Sequence, residues 1–310
     1  MELFDSNFQI PTSNFQSGVS LKVTLSYNIL RRIVDRALHE DIGPGDITTL
    51  SVIDPDLTGR GYIRTKEKGV IAGLPVAAAV FQRLDQEILF TPQVGEGTYA
   101  SAAQIVAVVE GRLQSILSGE RLALNFLQRL SGIATYTATL KEIIKDFPVN
   151  IIDTRKTIPG LRVLEKYAVR VGGGYNHRFG LFDGILIKNN HLKIAGGVTR
   201  AVQKARKNIS PMIKIEVEVE DLAGVEEALA AGVDIIMLDN MAPDVMRQAV
   251  KIIDGRARTE ASGKVNEANI LEVAKSGVDF ISVGAITHSA RALDISLSAV
   301  PAGRQVEGKK

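Results

Sequence analysis

Residues 213–239, IKIEVEVEDLAGVEEALAAGVDIIMLD, decide the fold. Ile213, Ile215, Val217 and Val219 alternate with Lys214, Glu216, Glu218 and Glu220, the two-residue period of a strand with one apolar and one charged face. Leu222 to Ala231 then reads as a helix, and Asp234 to Leu238 as a second, apolar strand. Strand, helix and strand in so short a span is the signature of β-α repetition with parallel strands. The charged face admits two settings. It lines the interior of a barrel whose outer face packs on helices, or it stands in water along an edge strand.

The same texture extends in both directions. Further β-branched runs occupy Val149–Ile152, Gly184–Ile187, Ala257–Thr259 and Asp279–Val283, with helical patterns at Leu161–Val171, Val198–Lys207, Asp244–Ile253 and Asn266–Ser276. At least six such units suit an incomplete (β/α) barrel better than an open doubly wound sheet, whose Gly-rich fingerprint is missing after the first strand.

Upstream the pattern is different. A helix over residues 26–38, with Ser26 as N-cap, gives way to the loop Asp41-Ile42-Gly43-Pro44-Gly45-Asp46. Strand-like pieces at Gly61–Ile71, Ile88–Val94 and Gln104–Leu117, with a small helix near Val76–Leu84, predict an antiparallel α+β module. Leu122, Phe126, Leu127, Leu130 and Ile133 lie on one face of a helix expected over Ser118–Asp146, which links the two domains.

Composition narrows the class. The 310 residues are 45% hydrophobic with a formal net charge of +2, too balanced for a nucleic-acid or membrane-surface protein. There is no cysteine, so disulfides and thiolate metal sites are excluded and any metal is held by oxygen or imidazole. The first 20 residues, rich in Asn, Ser and Gln, read as a flexible leader without a secretory pattern, and no apolar run reaches bilayer length, so a cytoplasmic protein is expected.

Polar residues recur where each strand ends, and in barrels those ends form the active face. Arg155 and Lys156 follow the first strand as an anion grip, a planar fork beside a point charge. Gly172-Gly173-Gly174 before His177 and Arg178 reads either as a flexible helix exit or as a loop that lets backbone approach a ligand. Lys188 follows Ile187 and either escapes to solvent or meets an anion. Glu218 and Asp239 end neighbouring strands and suit Mg²⁺ bound jointly with substrate phosphates, or else cap helices. Ser262-Gly263-Lys264 and Val283-Gly284-Ala285 offer small residues after the last strands, where barrels place phosphate, with His288 close by.

These residues resemble the quinolinate phosphoribosyltransferase family. The resemblance is carried by Glu40-Asp41 with Asp46 to Thr49, Gly119-Glu120-Arg121 with Leu130 to Thr135, Asp153 to Gly160, Gly172 to Arg178, Ile187 to His191, Glu216 to Glu218, Leu238 to Asn240, Glu260 to Gly263, and Val283 to Ser289. It implies an N-terminal α/β sandwich domain over 21–130, a barrel of fewer than eight strands over 131–289, and a segment over 290–310 that returns to the first domain. It implies an enzyme of NAD biosynthesis that joins quinolinate to phosphoribosyl pyrophosphate, with Mg²⁺, as a homodimer or a hexamer of dimers. Arg155, His177, Arg178 and Lys188 would hold the two carboxylates of quinolinate, Lys156 would be shared between the substrates, and Arg121 would reach in from the neighbouring subunit. Glu218 and Asp239 would address ribose and magnesium, and Ser262, Gly263, Gly284 and His288 would surround the 5-phosphate. Lys264 departs from the family's small residue at that position. The alternatives are a paralogous phosphoribosyltransferase acting on another acceptor, such as the proteins associated with molybdenum transport, and a non-catalytic phosphosugar sensor.

Overall fold

The computed structural model describes residues 25–303; the leader expected over residues 1–20 and the end of the chain lie outside them. In chain order the first half runs α1 (Tyr27–Asp41), α2 (Ile47–Val52), β1 (Thr58–Thr65), β2 (Gly69–Val70), α3 (Leu74–Leu84), β3 (Leu89–Pro92), β4 (Tyr99–Ala100), β5 (Ile105–Arg112) and α4 (Leu113–Ile143). Then follow β6 (Asn150–Ile152), α5 (Arg162–Val171), β7 (Ile185–Ile187), α6 (Asn189–Ala195), α7 (Val198–Asn208), β8 (Ile215–Val219) and α8 (Leu222–Ala230). The last elements are β9 (Ile235–Asp239), α9 (Pro243–Ile253), β10 (Arg258–Ser262), α10 (Ile270–Ala274), β11 (Phe280–Ser282), α11 (Ala285–His288) and β12 (Ile295–Pro301). They form two compact units. One holds the described residues up to Thr135 with Val163–Gly172 and those from Arg291; the other holds Tyr136–Arg162 and Gly173–Ala290.

The first unit contains an antiparallel sheet in the order β12-β1-β5-β3. The last strand pairs with the first along its length, from Gly59 opposite Pro301 to Thr65 opposite Ile295. Gly59 is required there, because a Cβ would lie 2.3 Å from the Val300 carbonyl oxygen. Two expectations are corrected. The strand expected over Gly61–Ile71 stops at Thr65, where the charged run Lys66-Glu67-Lys68 begins, and Gly69–Val70 pairs instead with Tyr99–Ala100 in a separate ladder. The strand expected to reach Leu117 ends at Arg112, and α4 begins five residues before Ser118: Leu113 and Ile116 are buried one helical turn apart, and a short apolar run does not itself distinguish the two states.

The second unit carries an all-parallel sheet in the order β7-β8-β9-β10-β11-β6. Each strand from β7 to β11 neighbours the next in sequence, so right-handed crossovers put the connecting helices on one face. The first strand lies beyond the last. This is a β/α barrel open between β6 and β7, with Tyr175 bridging to Ile152 on the open side of β6. Ile215, Val217 and Val219 share their face with Ile236, Leu238 and Ala261, all buried, and Val219 lies under Gly224 of α8. The register sets Leu186, Glu216, Glu218, Met237, Asp239, Glu260, Ser262 and Ser282 on the opposite, interior face. The edge-strand setting is excluded, because β8 pairs on both sides and all of Ile215–Val219 is buried. The helix expected over Asn266–Ser276 shortens to α10: the Asn266 side chain accepts from the Ala268 N–H at 2.9 Å and Asn269 Oδ1 accepts from the Asn266 N–H at 2.8 Å, a local turn that competes with helix.

Candidate active site

Asp153, fully buried just past β6, organises the loop side of the site. Its Oδ1 accepts from the His177 N–H at 2.9 Å and its Oδ2 from Asn176 Nδ2 at 2.6 Å. Arg155 and Lys156 follow on an exposed loop whose shape Arg162 braces, donating to Thr157 Oγ1 at 2.9 Å. The Lys156 side chain passes over Gly284, where a Cβ would meet it at 3.0 Å and the His288 ring at 3.2 Å. Thr287 Oγ1 donates to the Lys156 carbonyl at 2.9 Å. Lys156, Gly284 and His288 are thus brought together.

His177 is the centre of a buried polar cluster. Its Nδ1 accepts from the Arg178 N–H at 2.7 Å, and its Nε2 lies 2.8 Å from Glu216 Oε2 and 3.6 Å from Glu260 Oε2. Glu216 and Glu260 are only 4% and 1% exposed, and among the described residues the Oε1 of each has no hydrogen-bond partner. Burial and then the charge of Glu216 push the Glu260 carboxyl well above the ordinary carboxylate range. Arg178 Nη1 donates to the Gly184 carbonyl at 2.9 Å, whereas its buried Nε finds no partner among the described residues. Desolvation, then the neighbouring charge of Arg155, lowers its pKa from the usual guanidinium value. Lys188, at the end of β7, meets an anion of the protein itself: its Nζ donates to Glu218 Oε2 at 3.0 Å.

A second corner forms at the ends of β9 and β10. The Asn240 N–H donates to the Ser262 carbonyl at 2.8 Å, and Asn240 Nδ2 donates to Asp239 Oδ2 at 2.9 Å. Gly263 has φ +114°, and a Cβ there would lie 2.3 Å from Asn240 Oδ1, so only glycine fits. Lys264 also takes a positive φ, 46°, and its carbonyl accepts from Asn269 Nδ2 at 3.2 Å. Arg121 is exposed on α4, in the first unit. Asp153, Glu216 and Glu260 carry no assigned role in the sequence reading. The signal for Glu216 was present, an acid on the charged face of its strand, but its partners are set by register.

Two sets of residues offer metal ligands. Ligand atoms of His177, Glu216 and Glu260 all lie within 4.8 Å of one another. An Nδ1 that accepts a backbone hydrogen bond, however, leaves the ring's one proton on Nε2, where a metal would need the lone pair. Glu218 and Asp239 fit a hard cation better. They are carboxylates on one face of adjacent strands, each committing one oxygen to Lys188 or Asn240 and, among the described residues, no second hydrogen bond.

A β/α barrel whose strand ends set cationic side chains against a row of carboxylates is an enzyme site for small, multiply charged anions. The chain belongs to the quinolinate phosphoribosyl transferase family: the model of that family's N-terminal domain matches residues 46–131 and that of its C-terminal domain residues 133–298. It is 49% identical over 268 residues to a probable carboxylating nicotinate-nucleotide pyrophosphorylase of Synechocystis, covering 85% of this chain and 90% of the relative. A Bacillus subtilis protein of the same description is 41% identical over 278 residues, with 90% and 96% covered. Among solved structures, the nicotinate-nucleotide pyrophosphorylase of Francisella tularensis superposes with a TM-score of 0.86 at 42% identity, covering 89% of this chain and 98% of that one. NadC of Streptococcus pyogenes gives 0.87 at 43%, covering 90% and 99%.

Proposed function

We propose that this chain is a decarboxylating quinolinate phosphoribosyltransferase of NAD biosynthesis. The observation that carries the reading is Arg178: a half-buried guanidinium that makes no ion pair among the described residues, beside a second guanidinium from Arg155, is a donor set awaiting a carboxylate. Arg155, Arg178 and Lys188 supply the positive side for the acceptor dianion. Lys156, over Gly284 and close to His288, serves the donor's phosphates, together with Ser262 and Gly263 at the end of β10.

In the reaction the pyridine nitrogen bonds to the anomeric carbon while the bond to pyrophosphate breaks, its electron pair leaving with pyrophosphate. The ring nitrogen becomes cationic and draws electrons from its neighbouring carbon. The 2-carboxylate then departs as CO₂, and the carbon it leaves takes a proton. Glu218 stabilises positive charge on the ribose, and the cations hold the acceptor in line, so the protein's contribution is positioning and electrostatics. Glu218 and Asp239 would hold Mg²⁺, which when bound offsets charge on the pyrophosphate. The enzyme works as a homodimer in the cytoplasm, a reading that the absence of cysteine suits.

The test is a product assay with quinolinate, phosphoribosyl pyrophosphate and Mg²⁺. Nicotinate mononucleotide, CO₂ and pyrophosphate are expected in equal amounts, and turnover stops on chelation. Transfer to nicotinate in place of quinolinate would defeat the reading. For the dimer, Arg121→Ala and Lys188→Ala proteins, each inactive, should regain activity when mixed; verified subunit exchange without recovery refutes shared sites.

A further inference from the structure

We infer that His177 is a positioning residue whose neutral ring touches no substrate: its Nε2–H is held by Glu216, with Glu260 close by, its Nδ1 by the Arg178 amide, and it thereby fixes Arg178 for the acceptor's carboxylate. The role assigned to Arg178 rests on the proposed reaction. The state of the ring does not.

A backbone N–H can only donate. With the Arg178 N–H 2.7 Å from Nδ1, that nitrogen presents its lone pair, and a doubly protonated ring would set two donors against each other. The single ring proton is therefore on Nε2, 2.8 Å from Glu216 Oε2. Both nitrogens are spent within the protein, and no ring nitrogen remains for a substrate oxygen. The cluster around the ring is anchored from three directions. Asp153 holds the His177 N–H, the two glutamates come from β8 and β10, and the Arg178 guanidinium is pinned by the Gly184 carbonyl ahead of β7. Among the described residues this scaffold leaves unpaired the Arg178 Nε and the Oε1 atoms of Glu216 and Glu260. The histidine belongs to the frame that holds the Arg178 guanidinium in place, and the positive charge that this part of the site offers the acceptor comes from Arg155, Arg178 and Lys188 and not from the ring.

The first measurement is ¹⁵N NMR of the ring nitrogens in the ligand-free wild-type protein. The chain has four histidines, so His177 is assigned by the signals lost in His177→Gln. A neutral ring protonated on Nε2, unchanged when quinolinate is added, is expected. A doubly protonated ring, or a proton on Nδ1, overturns the inference. The second is a split of kinetic constants. His177→Ala should raise KM for quinolinate on the order of 10- to 100-fold, while KM for phosphoribosyl pyrophosphate stays within about 3-fold, as expected when a neighbouring group is mispositioned. His177→Asn, which returns an acceptor to the Arg178 amide, and His177→Gln, which returns a donor to Glu216, should each recover part of the loss. An unchanged quinolinate KM in His177→Ala, or no recovery in either amide variant, refutes the positioning role. The ring state is read in the ligand-free protein and needs no turnover, so failure of the reaction and failure of this inference are read separately.

Discussion

Two buried glutamates are treated in opposite ways. Glu165 on α5, fully inaccessible, accepts from Arg129 Nε at 3.1 Å and from its Nη2 at 2.7 Å, an ion pair within the first unit whose arginine alone reaches the surface. Glu260 in the barrel is as deeply buried but has an acid, Glu216, for a neighbour, and each keeps one oxygen without a partner among the described residues. The first arrangement is what a stable interior demands. The second leaves buried polar groups uncompensated, which proteins tolerate where a site needs them. The difference teaches that the burial of a charge does not reveal its purpose; its pairing does.

Removing one partner of that ion pair should have the largest effect. Glu165→Ala leaves Arg129 without its buried carboxylate and should cost about 3–5 kcal/mol of stability, read from denaturant unfolding. A loss below about 1 kcal/mol would erase the contrast drawn above. Next is Arg155→Ala. It should weaken quinolinate binding by roughly 2–5 kcal/mol in calorimetry, because a desolvated carboxylate loses its partner, yet leave unfolding almost untouched, since Arg155 is exposed. Glu260→Gln should do the reverse of Glu165→Ala, leaving stability within about 1 kcal/mol of the wild type or raising it, while activity falls.

Its pH dependence sharpens the point. A folded-state pKa above the unfolded 4.5 means that folding takes up a proton, so stability declines as pH rises from 4.5 toward the folded value, and Glu260→Gln should flatten that decline in Tm. Asp85 provides the opposite sign. The Arg112 guanidinium holds its carboxyl at about 2 against 3.8, so its contribution is present above 3.8 and fades as pH falls through 2; Asp85→Asn should lower Tm at neutral pH and not at about pH 2. The smallest effect belongs to the exposed cross-strand pair Arg60 and Glu110, where Arg60→Ala should shift denaturant unfolding only slightly, and less in high salt.

Much of the barrel was legible because each parallel strand is a short apolar run followed by a helix-period segment, and six such units leave few alternatives. The alternation across 213–220 showed that one face is charged but not whether that face meets water, since a strand's period reports two faces and not what covers either. Pairing on both sides of β8 supplied the answer. The cations and acids at the strand ends were readable because strand ends collect function in this architecture. The engagement of His177 with Glu216 and Glu260 was not, because it depends on which residues of β8 and β10 stand at the same height, a matter of register between segments far apart in the chain. Helix boundaries slipped where propensity was ambiguous, as at Leu113, or where asparagines formed a turn, as at Asn266.

The first unit is assembled from three separate lengths of chain, and its sheet is completed only by β12. During synthesis β1 therefore waits, with a bare edge, until every barrel strand has been made and β12 follows. Neither half can be inherited, truncated or transplanted as a single stretch of gene, and an early stop codon that spared every barrel residue would still leave the other half without its closing strand.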